Sequence, residues 1–526
     1  MADVKMVNLT IEGRPVSVPE GLSILEAAKT VGVLVPHYCY HPGLPVAGVC
    51  RMCLVEVEKA PKLAPACATN VMEGQVIHVH SPKALEARKG VLEFLLINHP
   101  LDCPICDQAG ECELQDYTFA EGRADSRLRE PKRFTPAEDF GGDVLYVTNR
   151  CILCTRCVRF MSDVAQDPVL NVSERGDRAF IGKAEGEDLT NPWAGNVVDL
   201  CPVGALLSKD FLNKARAWEL DRAPSICTGC SQGCNVVLET RDDVLVRLKP
   251  RSNTAVNHYY ACDVGRQTYR AFNRRDRLQQ PQIRNGRGLQ NVDWEEALAS
   301  AARSFAGKRV VVVASPNLSN EALFLLERIV NRAGGTGVFR VTHGAEAPLP
   351  GVPDLALRAE RAANATAARM LGFKEFTTLD EVLRDGDALL VVDDALLNAD
   401  AAQLSRASAI VHVGTAMPDI LEERAAVVLP IANTAEEEGT FTNLRGRVQR
   451  FMQAKAAPGV ARPSWYVLGD LLHAMGASDT YYLPSDVFAA MASTHASFAG
   501  LEYNALGLLG ALAPEAADAA MAGSAN

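Results

Sequence analysis

Cysteine is absent from the second half of the sequence: all 15 cysteines lie between Cys39 and Cys262, and residues 263–526 contain none. A long apolar run is also missing, since 92–97 and 388–392 are far shorter than the ~20 residues of a membrane-spanning helix. The net charge of −11 shows no basic excess, which argues against nucleic acid or an anionic membrane surface as a partner. Any thiolate chemistry is therefore confined to the first half of the chain.

A secretory start is lacking as well, because residues 1–7 contain neither an apolar signal core nor twin arginines. The proportions of hydrophobic residues, 48%, and charged residues, 22%, are ordinary for soluble globular proteins. A chain of 526 residues is long enough for roughly three to five domains. We therefore expect a cytoplasmic, multidomain protein without direct membrane insertion.

The cysteines fall into four groups, one of which has three cysteines with a histidine just upstream. The first group is Cys39, Cys50, Cys53 and Cys67; the second is His99, Cys103, Cys106 and Cys112; the third is Cys151, Cys154, Cys157 and Cys201; the fourth is Cys227, Cys230, Cys234 and Cys262. Each group offers four ligands, and no cysteine is left over. We predict that these residues bind metal-containing cofactors.

Thiolates bind iron strongly, and four of them complete the coordination of a [2Fe–2S] or [4Fe–4S] cluster. Zinc takes the same ligand sets in closed tetrahedral sites, so for a single group the two metals are close alternatives. Iron is favoured at the third group because Cys151-x2-Cys154-x2-Cys157 is the run of bacterial ferredoxins, with Cys201-Pro202 as its displaced Cys-Pro ending. Disulfides are disfavoured, because Cys-x2-Cys spacing without a secretory signal does not suit an oxidising compartment.

The histidine of the second group needs a separate argument, since a lone histidine is usually a surface or core residue. His99 stands four positions before Cys103, in a group that is otherwise one ligand short, and this favours ligation. A neutral imidazole in place of a thiolate lowers the negative charge of a cluster and should raise its reduction potential, as in Rieske centres. Four other histidines are needed for no ligand count and are predicted to be structural: His37, His41, His78 and His80.

The segment around the first group has the element order of a small ferredoxin. Residues 6–18 alternate as in a β-hairpin, and Ser23 with Glu26 forms a capping box before a helix. The irregular loop 39–53 is followed by a predicted strand at 54–57. This order suits a β-grasp ferredoxin, although its C-x10-C-x2-C-x13-C spacing is longer than the plant-type C-x4-C-x2-C.

Hydrophobic periodicity outlines the rest of the chain. It predicts a helix at 82–98 ended by His99 and strands at 236–239 and 244–248. The charged residues 123–142, which also contain Gly and Pro, indicate a solvated linker, and a ferredoxin-like unit follows at 143–215. From residue 292 the periodicity predicts buried strands at 310–315, 338–341, 388–392, 409–413 and 427–429, with a helix at 321–332. Alternating strands and helices favour an α/β domain with a largely parallel sheet. Residues 496–526 are rich in Ala and Gly, and we expect the chain end to be disordered.

The cysteine order resembles the large iron–sulfur protein family of respiratory complex I, the 75 kDa family of NADH:quinone oxidoreductases. His99-x3-Cys103-x2-Cys106-x5-Cys112 matches the family's motif of one histidine and three cysteines. The first, third and fourth groups match its [2Fe–2S] set, its ferredoxin-like [4Fe–4S] set and an extra [4Fe–4S] set of some bacterial members. This resemblance covers residues 1–276 and rests on specific motifs.

Residues 277–475 resemble a shortened molybdopterin-oxidoreductase domain through Gly439-Thr440-Phe441-Thr442-Asn443 and Gly446-Arg447. The implied fold class is multidomain α+β and α/β. The implied domains are a β-grasp [2Fe–2S] ferredoxin-type domain at 1–80, a [4Fe–4S] domain with one histidine and three cysteines at 81–120, a ferredoxin-like [4Fe–4S] unit at 143–219, a second-type [4Fe–4S] domain of molybdopterin oxidoreductases at 220–276, a molybdopterin-oxidoreductase-like α/β domain at 277–475 and an Ala-rich C-terminal tail at 476–526.

The resemblance implies an electron-transfer subunit with one [2Fe–2S] cluster and three [4Fe–4S] clusters. Electrons would come from a flavin-bearing NADH-binding subunit, enter through the first and third groups, and leave through the second toward iron–sulfur subunits that serve quinone. The whole complex would translocate protons, and this subunit would lie peripherally on the cytoplasmic side of the bacterial inner membrane. No catalytic acid, base or nucleophile is expected on this chain. No molybdopterin is expected either, because no cysteine is left to ligate molybdenum.

Three alternatives stay open at this point. An NAD-linked molybdenum formate dehydrogenase shares all four motifs but needs a cysteine or selenocysteine after residue 262, where there is none. The diaphorase subunit of an NAD-reducing hydrogenase shares the front half but normally lacks the α/β domain. A zinc-stabilised scaffold would use the same ligands and would be colourless.

Overall fold

The computed structural model describes residues 5–514 and divides into two compact units. One unit comprises Met1–Leu220 together with the short segment Leu349–Pro353. The other comprises Asp221–Pro348 and Asp354–Asn526. Both units mix helices and strands, as the sequence predicts. Among residues 5–514, no helix combines the length and the apolar character that crossing a bilayer requires.

The first unit begins with a five-stranded sheet that carries one helix. Its strands, in spatial order, are Arg14–Pro19, Met6–Ile11, Val76–His78, Leu54–Val57 and Ala64–Pro65. The helix Ile24–Thr30 starts where the Ser23 hydroxyl accepts a hydrogen bond from the Glu26 N–H at 3.2 Å. The predicted hairpin, helix and strand are therefore confirmed, and a single small core lies between the sheet and the helix.

Two helices and a 3₁₀ turn carry the second group. They are Pro82–Leu96, Cys103–Ile105 and Glu113–Glu121. The first helix begins at its predicted residue but ends at Leu96, so the predicted extension to residue 98 is wrong. Buried Arg88 ties this helix to the sheet, because its guanidinium donates to the carbonyls of Leu54 at 3.2 Å and Val79 at 2.8 Å. His99 consequently lies three residues beyond the end of the helix.

The third group lies among short elements of the same unit. Strands Glu138–Gly141, Val144–Tyr146 and Leu206–Ser208 form one sheet, Leu170–Ser173 pairs with Phe180–Lys183, and the helical segments are Arg156–Arg159, Phe160–Val164 and Asn196–Leu200. The predicted linker at 123–142 needs correction, since its last residues form a strand and Lys132 donates to the carbonyls of Leu96 at 2.7 Å and Ile97 at 3.0 Å. Its charged side chains suggested free solvation, but several have fixed partners.

The second unit begins with three antiparallel strands, Asp221–Ile226, Asn235–Arg241 and Val244–Pro250, followed by the short helix Asp263–Arg266. The two strands predicted here are confirmed with slightly wider bounds. The Cys227 N–H donates to the Cys234 carbonyl at 2.8 Å, so the loop between the first two strands is closed by a backbone bond. This sheet therefore presents the fourth group at its end.

The α/β part has an eight-stranded sheet. Its strands in spatial order are Gly288–Asn291, Gln282–Asn285, Val427–Pro430, Ala409–Gly414, Ala388–Val392, Val310–Ala314, Thr336–Phe339 and Lys374–Glu375. Among the described strands of this sheet, only the two pairings made by Gln282–Asn285 are antiparallel. The predicted largely parallel sheet is therefore confirmed. Parallel strands need cover on both faces, and Val310–Ala314 is fully buried.

Helices and small sheets complete this unit. The helices are Trp294–Phe305, Asn320–Ala333, Ala365–Met370, Asp419–Glu422, Ser464–Ala474 and Pro484–Thr494, and the remaining strands are Ala347–Pro348, Ala356–Leu357, Gly439–Thr442, Arg447–Phe451 and Ala511–Leu512. The predicted helix at 321–332 is confirmed, and Gly334 ends it at a φ of 58° that suits glycine.

The predicted tail at 476–526 needs correction within its described part. Helix Pro484–Thr494 buries Val487, Phe488 and Met491 in the main core of the α/β part, and Ala511 pairs with Val448. The high alanine content hid this helix, because its few large apolar residues occupy one face. The disorder expected at the chain end concerns residues that in part lie beyond 514, outside the described residues.

Candidate metal centres

The first group is assembled from one long loop and the residues after the strand Leu54–Val57. Cys39 hydrogen-bonds through its side chain to both Cys50 and Cys67, and Cys53 hydrogen-bonds to Cys67. The Cys39 N–H also donates to the Cys50 sulfur at 3.5 Å. Hydrogen bonds from its neighbours lower the pKa of the Cys39 thiol below its ordinary value, which favours thiolate. The structure thus brings all four predicted ligands together.

Left-handed backbone makes this close gathering possible. Arg51, which lies between Cys50 and Cys53 in the sequence, has a left-handed backbone with a φ of 58°. In the third group, Leu153 at 52° and Thr155 at 60° separate the cysteines in the same way. Alternating right- and left-handed residues turn successive N–H groups toward one concave side, which suits an anionic sulfur ligand.

The three cysteines of the second group act on one another electrostatically. Burial raises the pKa of Cys112 to about 11, and the negative charges of Cys106 and Cys103 act in the same direction. Cys106 and Cys112 are buried, whereas Cys103 is exposed. The group is therefore gathered at the edge of its unit, with one ligand toward solvent.

His99 carries a nitrogen that is suited to a metal. Its Nδ1 atom is buried and has no hydrogen-bond partner among the described residues. Burial lowers the pKa of His99 to about 4, and the nearby cations Lys132 and Arg150 act in the same direction. A neutral imidazole with an unpaired buried nitrogen is unfavourable unless something else binds it, and metal ligation is one such use. His99 also lines a cavity of about 530 Å³ with Cys151.

All four cysteines of the third group line one small cavity, together with apolar residues such as Ile181 and Leu206. The Leu153 N–H donates to the Cys151 sulfur at 3.4 Å, and the Tyr146 hydroxyl is hydrogen-bonded to that sulfur as well. Burial raises the pKa of Cys201, while nearby backbone N–H groups oppose the shift. The four sulfurs therefore line a single, mainly apolar pocket, which suits a sulfur-ligated cofactor.

The fourth group is lined by glycine. A Cβ atom at Gly265 would lie 3.0 Å from the Cys227 sulfur and 3.3 Å from the Cys262 sulfur. The Gly265 N–H donates to Cys262 at 3.3 Å, and the Gly229 N–H donates to Cys227 at 3.4 Å. Burial raises the pKa of Cys262 to about 12, and the charge of Cys230 adds to the effect. Backbone thus approaches the sulfurs closely, as a sulfur-ligated centre requires.

The residues that connect the groups were missed by sequence reasoning. Arg159 donates to the carbonyl of Cys39 in the first group and to that of Cys154 in the third. A Cβ atom at Gly204, three residues after Cys201, would lie 2.2 Å from the sulfur of Cys106 in the second group. The one hint in the sequence was the pair of arginines close to Cys157, Arg156 and Arg159. Within the first unit, the third group is therefore in contact with both others.

All fifteen cysteines are free, so the disulfide alternative is wrong. Across residues 5–514, no set of three or more His, Cys, Asp or Glu side chains could hold a single metal ion.

Family models match the chain in consecutive segments. Residues 4–82 match a 2Fe-2S iron-sulfur cluster binding domain, 88–127 the NADH-ubiquinone oxidoreductase-G iron-sulfur binding region, 141–207 the ferredoxin-like domain of NADH-quinone oxidoreductase subunit 3, 220–274 the molybdopterin oxidoreductase Fe4S4 domain, and 277–364 with 356–474 the molybdopterin oxidoreductase family. The predicted fold class is confirmed, since [2Fe–2S], [4Fe–4S] and molybdopterin-oxidoreductase domains all occur in the predicted order.

Curated relatives agree. The NADH-quinone oxidoreductase G subunit of Rickettsia bellii is 40% identical over 332 residues, which are 62% of this chain and 49% of that protein. The mitochondrial NADH dehydrogenase [ubiquinone] iron-sulfur protein 1 of Solanum tuberosum is 42% identical over 338 residues, 64% of this chain and 46% of that protein. The chain thus spans about half the length of the curated relatives it matches.

Among solved structures, one chain of the crystal structure of an NAD+-reducing [NiFe]-hydrogenase in the H2-reduced state is 27% identical to this chain. The match covers 40% of this chain and 90% of that chain, at a TM-score of 0.37.

The relatives at about 40% identity are subunits of NADH-quinone oxidoreductase, and two of the matching family models bear its name. The chain is therefore a homologue of the G subunits of NADH-quinone oxidoreductases, with the iron–sulfur domains that its cysteine pattern predicts.

Proposed function

We propose that this chain is the iron–sulfur electron-transfer subunit of a proton-translocating NADH:quinone oxidoreductase. The observation that carries the proposal is the contact of the third group with both others, through Arg159 on one side and Gly204 on the other. Three centres in such contact form a path, whereas unrelated structural zinc sites have no reason to adjoin. Iron–sulfur clusters, when bound, supply one-electron transfer at potentials that the protein adjusts.

The proposed ligands are the sixteen residues of the four groups, holding one [2Fe–2S] cluster at the first and a [4Fe–4S] cluster at each of the others. Support comes from the side-chain contacts of the first group, the shared cavity of the third, the glycine-lined fourth, and the unpartnered Nδ1 of His99 among the described residues. The proposed domains follow the groups at 1–80, 81–120, 143–219 and 220–276, with the α/β domain from 277.

The chain's own residues perform three tasks in this function. Cysteine sulfurs and His99 hold the centres, and backbone N–H groups such as that of Leu153 donate to the sulfurs and so favour the reduced state. Apolar side chains around the third group exclude water. Burial and hydrogen bonding, rather than an acid or base, therefore control the chemistry.

The proposed direction runs from the first group through the third to the second. The partners would be a flavin-bearing NADH-binding subunit at the first group and iron–sulfur subunits toward quinone at the second. Support comes from the relatives, which are named as subunits of such a complex. The exposed Cys103 suits an exit end, because a ligand at the surface can lie near a partner. The complex would place this chain peripherally on the cytoplasmic side of the inner membrane.

The α/β domain is proposed to be structural and to bind no molybdopterin. Its family model is that of molybdenum enzymes, but the chain has no cysteine beyond Cys262 to ligate the metal. Purified protein should therefore contain no molybdenum or tungsten and oxidise no formate. Stoichiometric molybdenum would favour the formate dehydrogenase alternative.

Metal analysis of anaerobically purified chain, with EPR of the reduced form, tests the main proposal. The expected content is about 14 iron atoms per chain, two at the first group and four at each of the others. Stoichiometric zinc with little iron, and a colourless protein, would establish the zinc scaffold instead. The proposed route of the electrons, out through the second group, is tested separately by the Cys106 and Cys262 variants described in the Discussion.

A further inference from the structure

We propose that Arg159 is a positioning residue that holds the first and third groups together and, through its permanent positive charge, raises the reduction potentials of the centres at both. The inference rests on the proposed function, since it concerns centres that the two groups would hold. It assigns a role to a residue that is not itself a ligand.

The guanidinium of Arg159 joins the two groups through a single nitrogen. Nη2 donates to the carbonyl of Cys39 and, at 3.3 Å, to the carbonyl of Cys154. Nη1 donates to the carbonyl of Pro45 in the loop of the first group, and Nε donates to the Thr155 hydroxyl at 3.3 Å. All three guanidinium nitrogens thus donate hydrogen bonds. Each accepting residue is a proposed ligand or lies between two proposed ligands in the sequence.

This geometry restricts the separation of the two groups. Cys39 and Arg159 are 120 residues apart in sequence, so no local structure holds them near each other. A planar, forked guanidinium can bind several carbonyls in fixed directions, whereas a lysine ammonium is a point charge on a flexible stem. Arg159 is therefore a rigid connection, and it is also partly buried.

Among the described residues, no direct ion pair cancels the charge of Arg159. Its hydrogen-bond partners are three carbonyls and a hydroxyl, and Asp163 acts on it only electrostatically. The negative charges of Cys39 and Cys154 both interact with it. An added electron makes a centre more negative, so a nearby fixed cation stabilises the reduced state and raises the potential.

Neighbouring Arg156 differs in a way that sharpens the assignment. It donates to the carbonyls of Tyr40 at 2.8 Å and Leu200 at 3.2 Å, so it also spans the first and third groups. However, it forms an ion pair with Glu113 at 3.4 Å, and this adjacent carboxylate opposes its field. Arg159 is thus the cation whose charge both centres experience.

The test measures midpoint potentials by redox titration with EPR on the full chain, purified anaerobically, for Arg159→Gln and Arg159→Lys. Arg159→Gln should lower the potentials of both the first and the third centre, because the charge is lost. Arg159→Lys should keep both nearer to the wild-type values. Arg175→Gln, which removes an exposed charge from the same unit, should leave both unchanged.

Several results would overturn the inference: wild-type potentials in Arg159→Gln, a shift in only one centre, or equal shifts in the Gln and Lys variants. If Arg159→Gln loses its centres, the Arg159→Lys variant decides the test. The inference then requires that Arg159→Lys keep the EPR signals of both the first and the third centre, at midpoint potentials near those of the wild type. Failure of the proposed function is distinguishable, because it would show as zinc without EPR signals in the wild-type chain. If only the inference fails, the wild-type chain still shows the EPR signals of its centres.

Discussion

Gly204 lies so close to Cys106 that no side chain fits between them: a Cβ atom on Gly204 would be 2.2 Å from the Cys106 sulfur. Gly204 has no unusual φ, so the requirement is for space and not for backbone freedom. It follows Cys201-Pro202 of the third group, and Cys106 belongs to the second. The absence of a side chain at Gly204 therefore lets the backbone that follows the third group lie against the second group.

Substitution Gly204→Ala should displace the Cys106 sulfur and weaken or abolish the EPR signal of the second centre, while the third signal persists. Overpacking of a tight site typically costs about 1–3 kcal/mol. Gly90→Ala is the matched control, because a Cβ there meets nothing within 4 Å and alanine in a helix should stabilise it by about 0.5–1 kcal/mol. An unchanged second signal in Gly204→Ala would contradict the packing argument.

His99 can be tested by two replacements. His99→Cys should retain the second centre but lower its midpoint potential, since a thiolate adds negative charge where imidazole is neutral. His99→Ala should lose or weaken the centre. His80→Ala, at an exposed histidine outside all four groups, serves as the control and should alter nothing. If both His99 variants keep the wild-type signal and potential, His99 is not a ligand.

On the proposed electron path, the second and fourth groups should respond differently to loss of one cysteine. Cys106→Ala should stop quinone reduction in assembled complex, while NADH oxidation by an artificial flavin acceptor continues. Cys262→Ala should mainly reduce assembly or stability and should spare much of the NADH-to-quinone rate per flavin. The fourth group would lie on the path if Cys262→Ala abolished quinone reduction as fully as Cys106→Ala.

Buried Glu437 should make the stability of the α/β part depend on pH. Burial raises its pKa to about 8, although the Ser464 N–H and hydroxyl bind its carboxyl group, and the charge of Glu321 adds to the increase. The folded state thus prefers the protonated form. Its stabilisation is complete below the unfolded pKa of about 4.3 and is lost as the pH rises to about 8.

Glu437→Gln should therefore flatten the dependence of the urea midpoint on pH between about 5 and 8, with a difference on the order of 4 kcal/mol at most. Glutamine can accept from the Ser464 N–H and donate to its hydroxyl, so the contacts survive. Unfolding is followed by tryptophan fluorescence, to which Trp465, buried next to Ser464, contributes. Equal slopes for both proteins would show that Glu437 is not held protonated.

Local sequence patterns determined most elements of the fold. The alternation in residues 6–18, the capping residue Ser23 and the apolar run at 388–392 each specify an element through contacts within a few residues. The cysteine spacing likewise specified the four groups and the homology, because ligand spacing is a local property. The confirmed elements are those whose stability is encoded over short distances.

Contacts between distant segments were decided only by the tertiary structure. Charged residues at 123–142 indicated a free linker until Lys132 proved to bind the end of a helix, and alanine-rich residues 484–494 indicated a tail until they proved to fill a core. The arginines around Cys157 gave only a weak local signal for Arg159, and Gly204 gave none, because their roles depend on partners about 100 residues away. By itself the sequence determined which residues are the candidate ligands. Folding decided which of the four groups adjoin, since only packing brings remote backbone into contact.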